Sequence, residues 1–260
     1  MLRVISAMAG FVELAVGTVA LRPYVFAFFL LFLFAAVAEL GWRRAAALTG
    51  LAFGLAFAAE FSSTRTGIPF GLYHYTQATR GQELFLANVP LMDSLSFTFL
   101  AYGSLGLARL LLASARPGPL VAVSGLLFML LDVVIDPLAV RGDRWFLGQI
   151  FSYPEGGPYF GVPLSNFAGW LLLGWAIVGA YLALAPRLGG APPAWAARLP
   201  GRALYAPALF YLVLVFNLAV TWAIEEPALL WAGLLVHLPV GLLALARLGE
   251  TLPHRTEPAG

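Results

Sequence analysis

The chain has 260 residues, of which 61% are hydrophobic and 11% are charged, and its mean hydropathy is +0.86. Because a soluble domain is nearer half apolar and a quarter charged, this composition indicates an integral membrane protein without a soluble catalytic domain. All fifteen basic residues are arginine, so a lysine Schiff base and a P-loop are excluded. The chain has no cysteine, which excludes a thiolate nucleophile and a disulfide. The net charge of +2 is spread as single arginines and forms no basic stripe for nucleic acid.

Eight apolar runs, each bounded by arginine, proline or glycine clusters, predict an all-α bundle of transmembrane helices, since about 20 helical residues cross a bilayer. Glu13 interrupts the short first run, so a bundle of seven helices is the alternative. We expect a single transmembrane domain over residues 1–250 and a polar C-terminal tail over residues 251–260. The runs lie near residues 4–21, 24–41, 45–61, 89–113, 119–139, 164–185, 204–224 and 228–247.

Arginine positions predict the orientation of the bundle, because loops rich in positive charge stay in the cytoplasm during insertion. With the N-terminus inside, ten arginines fall on the cytoplasmic side and five on the other side: Arg22, Arg65, Arg80, Arg141 and Arg144. Both termini are therefore expected in the cytoplasm. A lysine-free, alanine-rich composition is typical of a high-GC bacterial genome, so the bacterial inner membrane is the expected location.

Two long connections, residues 62–88 and 140–163, lie together on the non-cytoplasmic side in the eight-helix arrangement. Each leads into a Val-Pro-Leu sequence that opens a helix, and Asp93 and Asn166 follow at matching offsets. We interpret this as a weak parallel repeat of helix pairs 3–4 and 5–6, with the active cavity at the repeat interface. Chance similarity in so biased a composition is the alternative.

Carboxyl groups inside apolar helices are functional candidates, because an ionisable group in hydrocarbon costs several kcal/mol unless it is paired or hydrated. Asp132 and Asp136 stand four residues apart, so both lie on one helix face. Two carboxylates this close do not both ionise cheaply, and one is expected to hold a proton, as a general acid does. Two other interpretations stay open: a divalent-cation site, and a clamp on Arg141 and Arg144.

A second polar group lies in residues 67–76, where His74 stands between two tyrosines in a chain poor in polar side chains. An aromatic belt at headgroup depth is one interpretation. Glu60 upstream and Asp93 downstream favour another, in which several proton donors and acceptors gather beside aromatic rings.

Four runs of the sequence resemble the carotenoid biosynthesis membrane family of CruF-type carotenoid 1,2-hydratases. They are AEFSSTRTGIPFGLYHYT from residue 59, VPLMD from residue 89, LDVVIDP from residue 131 and YFGVPLSNFAGW from residue 159. The similarity spans about residues 55–175, whereas the flanking helices match only in hydrophobicity. The resemblance implies a hydro-lyase that adds water to the C1=C2 double bond of an acyclic carotenoid end, such as that of lycopene or γ-carotene, without a redox cofactor.

Hydration chemistry assigns roles to the candidate carboxyl groups. Protonation of a trisubstituted alkene gives a tertiary cation that water captures, so the enzyme needs an acid, a positioned water and a cavity that stabilises positive charge. We expect Asp132 or Asp136 to donate the proton, with a marginal preference for Asp136. Glu60 or Asp93 is expected to orient or deprotonate the incoming water.

The remaining candidates are expected to shape the cavity. His74 and Asn166 are expected to hold the hydrogen-bond network. Aromatic rings attract the cation, and those expected to line the cavity are Phe70, Tyr73, Tyr75, Tyr159 and Phe160. Neither a cofactor nor a metal ion is expected, and the expected partners are a carotenoid drawn from the bilayer, membrane lipids and other enzymes of the carotenoid pathway.

Three rival functions use the same residues differently. In a membrane prenyltransferase, the Asp132–Asp136 pair would hold magnesium and a diphosphate. In a non-enzymatic transporter of lipid or carotenoid, the buried acids would relay protons. Carotenoid cyclisation or isomerisation would pass through the same cation and differ only in whether water reaches it.

Overall fold

The computed structural model describes residues 2–113 and 116–251, and within them the chain forms the eight predicted helices. Seven of these are long and apolar enough to cross a membrane, and α1 adds a shorter apolar stretch, Gly10–Leu21. Residues 252–260 of the predicted tail lie outside the described residues. The helices are α1 Leu2–Leu21, α2 Pro23–Leu40, α3 Trp42–Thr66, α4 Leu91–Leu112, α5 Pro117–Ala139, α6 Leu164–Leu184, α7 Tyr205–Ala223 and α8 Pro227–Thr251.

The remaining elements are short and lie in the connections. Four two-residue strands form two antiparallel pairs, β1 with β4 and β2 with β3. They are β1 His74–Tyr75, β2 Phe85–Leu86, β3 Val89–Pro90 and β4 Phe151–Ser152. Short 3-10 helices cover Gly142–Arg144, Ala185–Arg187, Ala194–Arg198 and Arg202–Leu204.

Proline marks the starts of several helices, because its fixed φ suits the first helical turn and its missing N–H is not needed there. Pro23 and Pro117 open α2 and α5 in this way. In α4 and α6 the proline is one position earlier, where Pro90 and Pro163 adopt extended backbone as the N-cap residues. The repeated Val-Pro-Leu sequence therefore starts two helices in the same manner.

Helix α4 lies at the centre of the bundle and packs against α2, α3, α5, α7 and α8. Small residues allow the closest of these contacts, as is usual between helices in membranes. A Cβ atom added to Gly106 of α4 would lie 2.1 Å from the Cβ of Ala206 on α7. The same holds between α5 and α6, where a Cβ added to Gly174 would lie 2.9 Å from the Cα of Gly125.

The two long connections meet at one end of the bundle, as the eight-helix arrangement predicts. Strand β1 of the first connection pairs with β4 of the second, in the register His74–Ser152 and Tyr75–Phe151. Arg22, in the turn between α1 and α2, lies at the same end and donates a hydrogen bond of 2.7 Å to the Leu147 carbonyl. Residues far apart in the sequence therefore close over the ends of α3 to α6.

Candidate active site

A cavity with two adjoining compartments opens beneath the paired connections. The wall of the polar compartment includes Glu60, Tyr73, Tyr75 and Asn166. The apolar compartment lies between α2, α4, α5 and α7. Five residues line both compartments and so mark their junction: Asp93, Phe97, Asp136, Phe151 and Trp170.

Asn166 joins the two aspartates of α5. Its amide nitrogen lies 2.6 Å from Oδ2 of Asp132 and 2.7 Å from Oδ2 of Asp136. The helical spacing of four residues brings both carboxyl groups to the face of α5 that meets α6. Because the amide carries two hydrogens, it can donate one to each carboxyl group and hold both in fixed positions.

The interpretation of the aspartates as an arginine clamp is wrong. Arg141 and Arg144 both pair with Glu226, which precedes α8, and the Nε of Arg141 lies 3.1 Å from its Oε1. Arg141 also donates hydrogen bonds to the carbonyls of Pro137 and Phe160. The two arginines therefore connect the end of α5 to the α7–α8 turn, and their ion pairs are with Glu226 rather than with Asp132 or Asp136.

Glu60 anchors a second hydrogen-bonded group on the opposite wall. Ser94 donates a short hydrogen bond to one oxygen of Glu60, and the Tyr75 hydroxyl donates one of 3.3 Å to the other. The hydroxyls of Tyr73 and Tyr75 are 3.4 Å apart. This chain of contacts connects α3, α4 and the first long connection around one buried carboxyl group.

The four carboxyl groups of the site differ in accessibility. Asp132 is 0% exposed and Glu60 is 3% exposed. Asp93 and Asp136 keep partial exposure, and both line the junction of the two compartments. A molecule in the apolar compartment would therefore meet Asp93 and Asp136, whereas Glu60 lines only the polar compartment and Asp132 lines neither.

The cavity contains most, but not all, of the residues predicted from the sequence. Asp132 lies directly behind it and contacts it through Asn166. His74 is exposed, because in a strand alternate side chains point to opposite faces and its neighbours Tyr73 and Tyr75 point inward. The predicted residues that line the cavity are Glu60, Phe70, Tyr73, Tyr75, Asp93, Asp136 and Asn166.

Tyr159 and Phe160 do not line either compartment among the described residues. Phe160 packs against the small cluster of Leu138, Ile224 and Leu229. Tyr159 packs its ring edge-on against Phe167 of α6, with ring centroids 5.3 Å apart. The motif that contains both rings turns away from the cavity before α6 begins.

Other aromatic residues, which the sequence analysis missed, take their place. Phe97 and Trp170 stack with ring centroids 4.6 Å apart and form a wall at the junction of the compartments. A signal for them exists in the sequence, since Phe97 stands four residues after Asp93 and Trp170 four residues after Asn166. Residues at this spacing share a helix face, so each ring was predictable from its polar neighbour.

Tyr73 and Tyr75 lie in the connection between the helices and are neutral phenols. Burial raises the pKa of both well above the usual value of 10.0, and the nearby carboxyl groups of Glu60 and Asp93 act in the same direction. A neutral phenol can both donate and accept hydrogen bonds. The two phenols therefore offer hydrogen bonds to the cavity, and the stronger acids beside them are the carboxyl groups of Glu60 and Asp93.

The aspartate pair does not have the form of a divalent-cation site. The amide hydrogens of Asn166 point at Asp132 and Asp136, where a magnesium ion would need to lie between oxygen ligands. Within residues 2–113 and 116–251, no group of three or more histidine, cysteine, aspartate or glutamate side chains is arranged to hold a metal ion. This donor set does not fit the magnesium-dependent prenyltransferase.

The chain is similar to known proteins of carotenoid biosynthesis. The family model described as "Carotenoid biosynthesis protein" matches residues 18–242. A relative from Haloarcula japonica, named bisanhydrobacterioruberin hydratase, is 33% identical over 130 residues, which is 49% of this chain and 40% of that protein's length. No solved structure matches the chain. The match over most of its length shows that the chain belongs to the carotenoid biosynthesis protein family.

Proposed function

We propose that this protein is a carotenoid hydratase that adds water to the terminal C1=C2 double bond of an acyclic carotenoid end, of the lycopene or γ-carotene type. The observation that carries the proposal is the junction at Asp93 and Asp136, where an apolar compartment meets a polar one. The hydratase name of the Haloarcula japonica relative supports the reaction class.

In this proposal Asp136 is the general acid. It delivers a proton to C2 of the alkene, and the positive charge develops at C1, which carries two methyl groups and is therefore tertiary. A water oxygen in the polar compartment then bonds to C1 and loses a proton to the Asp93 carboxylate. One water is added and no electrons are transferred, so the reaction requires no redox cofactor. The proton returns from Asp93 to Asp136 before the next turnover.

The aromatic wall stabilises the cation between these two steps. Phe97, Phe151 and Trp170 line the junction where the positive charge develops. An aromatic face attracts a cation by about 0.5–2 kcal/mol, and it does not form a covalent bond with the intermediate. Rings suit this position better than additional carboxylates, because a carboxylate beside the cation could trap it as an ester.

The buried groups behind the junction position the reacting ones. Asn166 holds Asp136 through one amide hydrogen and Asp132 through the other. Glu60 is fixed by Ser94 and Tyr75 and offers the polar compartment a hydrogen-bond acceptor for water. The reaction therefore has its acid on α5, its base on α4 and its water between them.

The setting of the enzyme is part of the proposal. We place it in the bacterial inner membrane with both termini in the cytoplasm, which puts the junction near the opposite face of the bilayer. The carotenoid comes from the bilayer, so no soluble carrier is needed. Other enzymes of the carotenoid pathway are the expected neighbours that exchange substrate and product with it.

Expression in a lycopene-accumulating bacterium, followed by chromatography and mass spectrometry of the pigments, tests the reaction. A pigment heavier by one water, with an unchanged chromophore and a tertiary hydroxyl group, is the expected product. An isomeric pigment of unchanged mass would instead indicate cyclisation or isomerisation. Unaltered lycopene, with the protein confirmed in the membrane, would contradict activity on that carotenoid and require a comparison with γ-carotene.

A further inference from the structure

A cluster of four aromatic rings covers the outer end of the apolar compartment. Tyr24 of α2 stacks on Phe216 of α7, with ring centroids 5.1 Å apart and planes at 20°. Phe146, in the second long connection, meets the edge of Tyr24 at 5.5 Å and also contacts Trp145 at 4.9 Å. We call these four residues the aromatic cluster.

The aromatic cluster separates the apolar compartment from the surroundings of the bundle. Tyr24, Trp145 and Phe216 line the compartment and keep partial exposure, and Phe146 is 60% exposed. Val25 and Val213, which also line the compartment, are each 3% exposed. The aromatic cluster is therefore a part of the compartment's surroundings that reaches the surface of the bundle.

Polar contacts hold the chain on both sides of the aromatic cluster, at Arg22 and at Trp145, whereas Tyr24 and Phe216 meet through a ring contact. Arg22, two residues before Tyr24, is bound to Glu83 at 3.1 Å and to the Leu147 carbonyl, and the Trp145 indole donates to the Leu138 carbonyl at 3.1 Å. Among the described residues, no hydrogen bond or ion pair joins a side chain of α2 to one of α7. The stacked rings can separate without breaking a polar contact.

We propose that the seam between α2 and α7 at Tyr24 and Phe216 is the portal through which the apolar chain of a carotenoid passes between the bilayer and the apolar compartment. This inference rests on the proposed function for the identity of the occupant. A polyene dissolved in hydrocarbon reaches the site most directly through an apolar seam, and this seam continues inward to Asp93 and Asp136. Aromatic rings form a suitable closure, since a ring pair contributes only about 0.5–1.5 kcal/mol beyond its burial.

Cross-linking of the seam tests the portal, because the natural chain contains no cysteine. The variant Tyr24→Cys/Phe216→Cys is treated with a short bifunctional maleimide, either before or after purified protein in detergent is loaded with lycopene. The matched control is Val121→Cys/Gly179→Cys between α5 and α6, where a Cβ added to Gly179 lies 3.9 Å from Cγ2 of Val121. The readout is the absorbance of pigment that stays with the washed protein.

Cross-linking before loading is expected to lower retained pigment by at least about tenfold, and cross-linking after loading to slow its release by a similar factor. The control pair should change neither. Equal uptake and release with the seam closed would overturn the portal, as would the absence of retained lycopene in the wild type. A protein that takes up lycopene through the seam without converting it would support the portal and contradict hydration of that carotenoid.

A single variant provides a second test that needs no cross-link. Phe216→Ala removes the stacked ring while both helices stay in place. Uptake and release of pigment are then expected to be faster by about three- to tenfold, the rate equivalent of the lost ring contact. Unchanged or slower exchange in folded Phe216→Ala protein would contradict the role of this seam.

Discussion

Asp93 and Asn166 occupy equivalent positions, as the third residues of α4 and α6, and both line the polar compartment. Four residues later in each helix stand Phe97 and Trp170, which stack on each other. The two positions nevertheless differ in chemistry. The carboxyl group of α4 faces the cavity, whereas the amide of α6 holds the aspartates of α5.

The two accessible carboxyl groups are expected to be the most sensitive positions for catalysis. Asp136→Asn and Asp93→Asn preserve side-chain size and remove the acid and the base, so each should lower the rate of hydration by about 10²- to 10⁴-fold. Pigment binding should change little. The measurement is the initial rate of hydrated product, with exposed Asp143→Asn as the control at the wild-type rate. Wild-type activity in folded Asp136→Asn protein would contradict its assignment as the acid.

Loss of the amide between the two aspartates is expected to affect both stability and rate. Asn166→Leu keeps a similar volume but removes the hydrogen donor to Asp132 and Asp136, and each unsatisfied buried group costs about 1–3 kcal/mol. We expect a lower melting temperature and a lower hydration rate. The neighbouring, exposed Ser165→Ala should change neither. A normal rate in Asn166→Leu would mean that Asp136 holds its position without the amide.

The buried ion pair between Arg22 and Glu83 is expected to be important for stability. The two side chains are 1% and 0% exposed, so Glu83→Leu alone leaves an uncompensated buried charge, which costs about 3–5 kcal/mol. The double variant Arg22→Met/Glu83→Leu removes both charges and should recover much of the loss. Thermal unfolding of the two single variants and the double variant in detergent measures the coupling. Additive losses would show that the pair acts as two independent residues.

The contact between the α5 end and the α7–α8 turn is expected to depend on pH. Burial opposes ionisation of Glu226, but hydrogen bonds and charges from Arg141 and Arg144 outweigh it and lower the pKa of this carboxyl group below 4.5. A lowered pKa stabilises the fold above the unfolded value, and the contribution disappears as pH falls through the folded value. Glu226→Gln should therefore lower the melting temperature at pH 7 and match the wild type in strong acid.

The neighbouring Glu225→Gln is the control for this contact, because Glu225 is exposed. It should leave the melting temperature unchanged across the same pH range. Partly exposed ion pairs contribute about 0.2–1 kcal/mol each, so the difference at pH 7 should be small but measurable. A constant difference between Glu226→Gln and the wild type from pH 7 to strong acid would contradict the ionic origin of the effect.

The strand that contains His74 supplies a pair of variants with opposite expectations. His74→Ala alters an exposed side chain and should leave the rate within about twofold of the wild type. Tyr75→Phe removes the hydroxyl that binds Glu60 and should lower the rate more than His74→Ala does. The measurement is the initial rate of hydration by each variant and by the wild type at equal protein concentration. A larger effect at His74 would show that the imidazole takes part in the reaction despite its exposure.

The membrane bundle, its eight helices and most of the residues that line the polar compartment follow from the amino-acid sequence without a fold. Apolar runs of membrane length, ended by proline and arginine, depend on local chemistry and are visible without a fold. The pair Asp132 and Asp136 was predictable because helical spacing fixes their common face. The grouping of the two long connections followed from counting crossings, since an even number of helices returns the chain to the same side.

Which of the candidate groups meet depends on contacts between distant parts of the chain. Strand pairing between residues 74–75 and 151–152 turns His74 outward, and the path into α6 takes Tyr159 and Phe160 away from the cavity. The pairing of Arg22 with Glu83, 61 residues apart, depends on how separate loops pack and has no local signal. Accessibility, which separates Asp93 and Asp136 from Glu60 and Asp132, likewise arises only when several helices enclose one space.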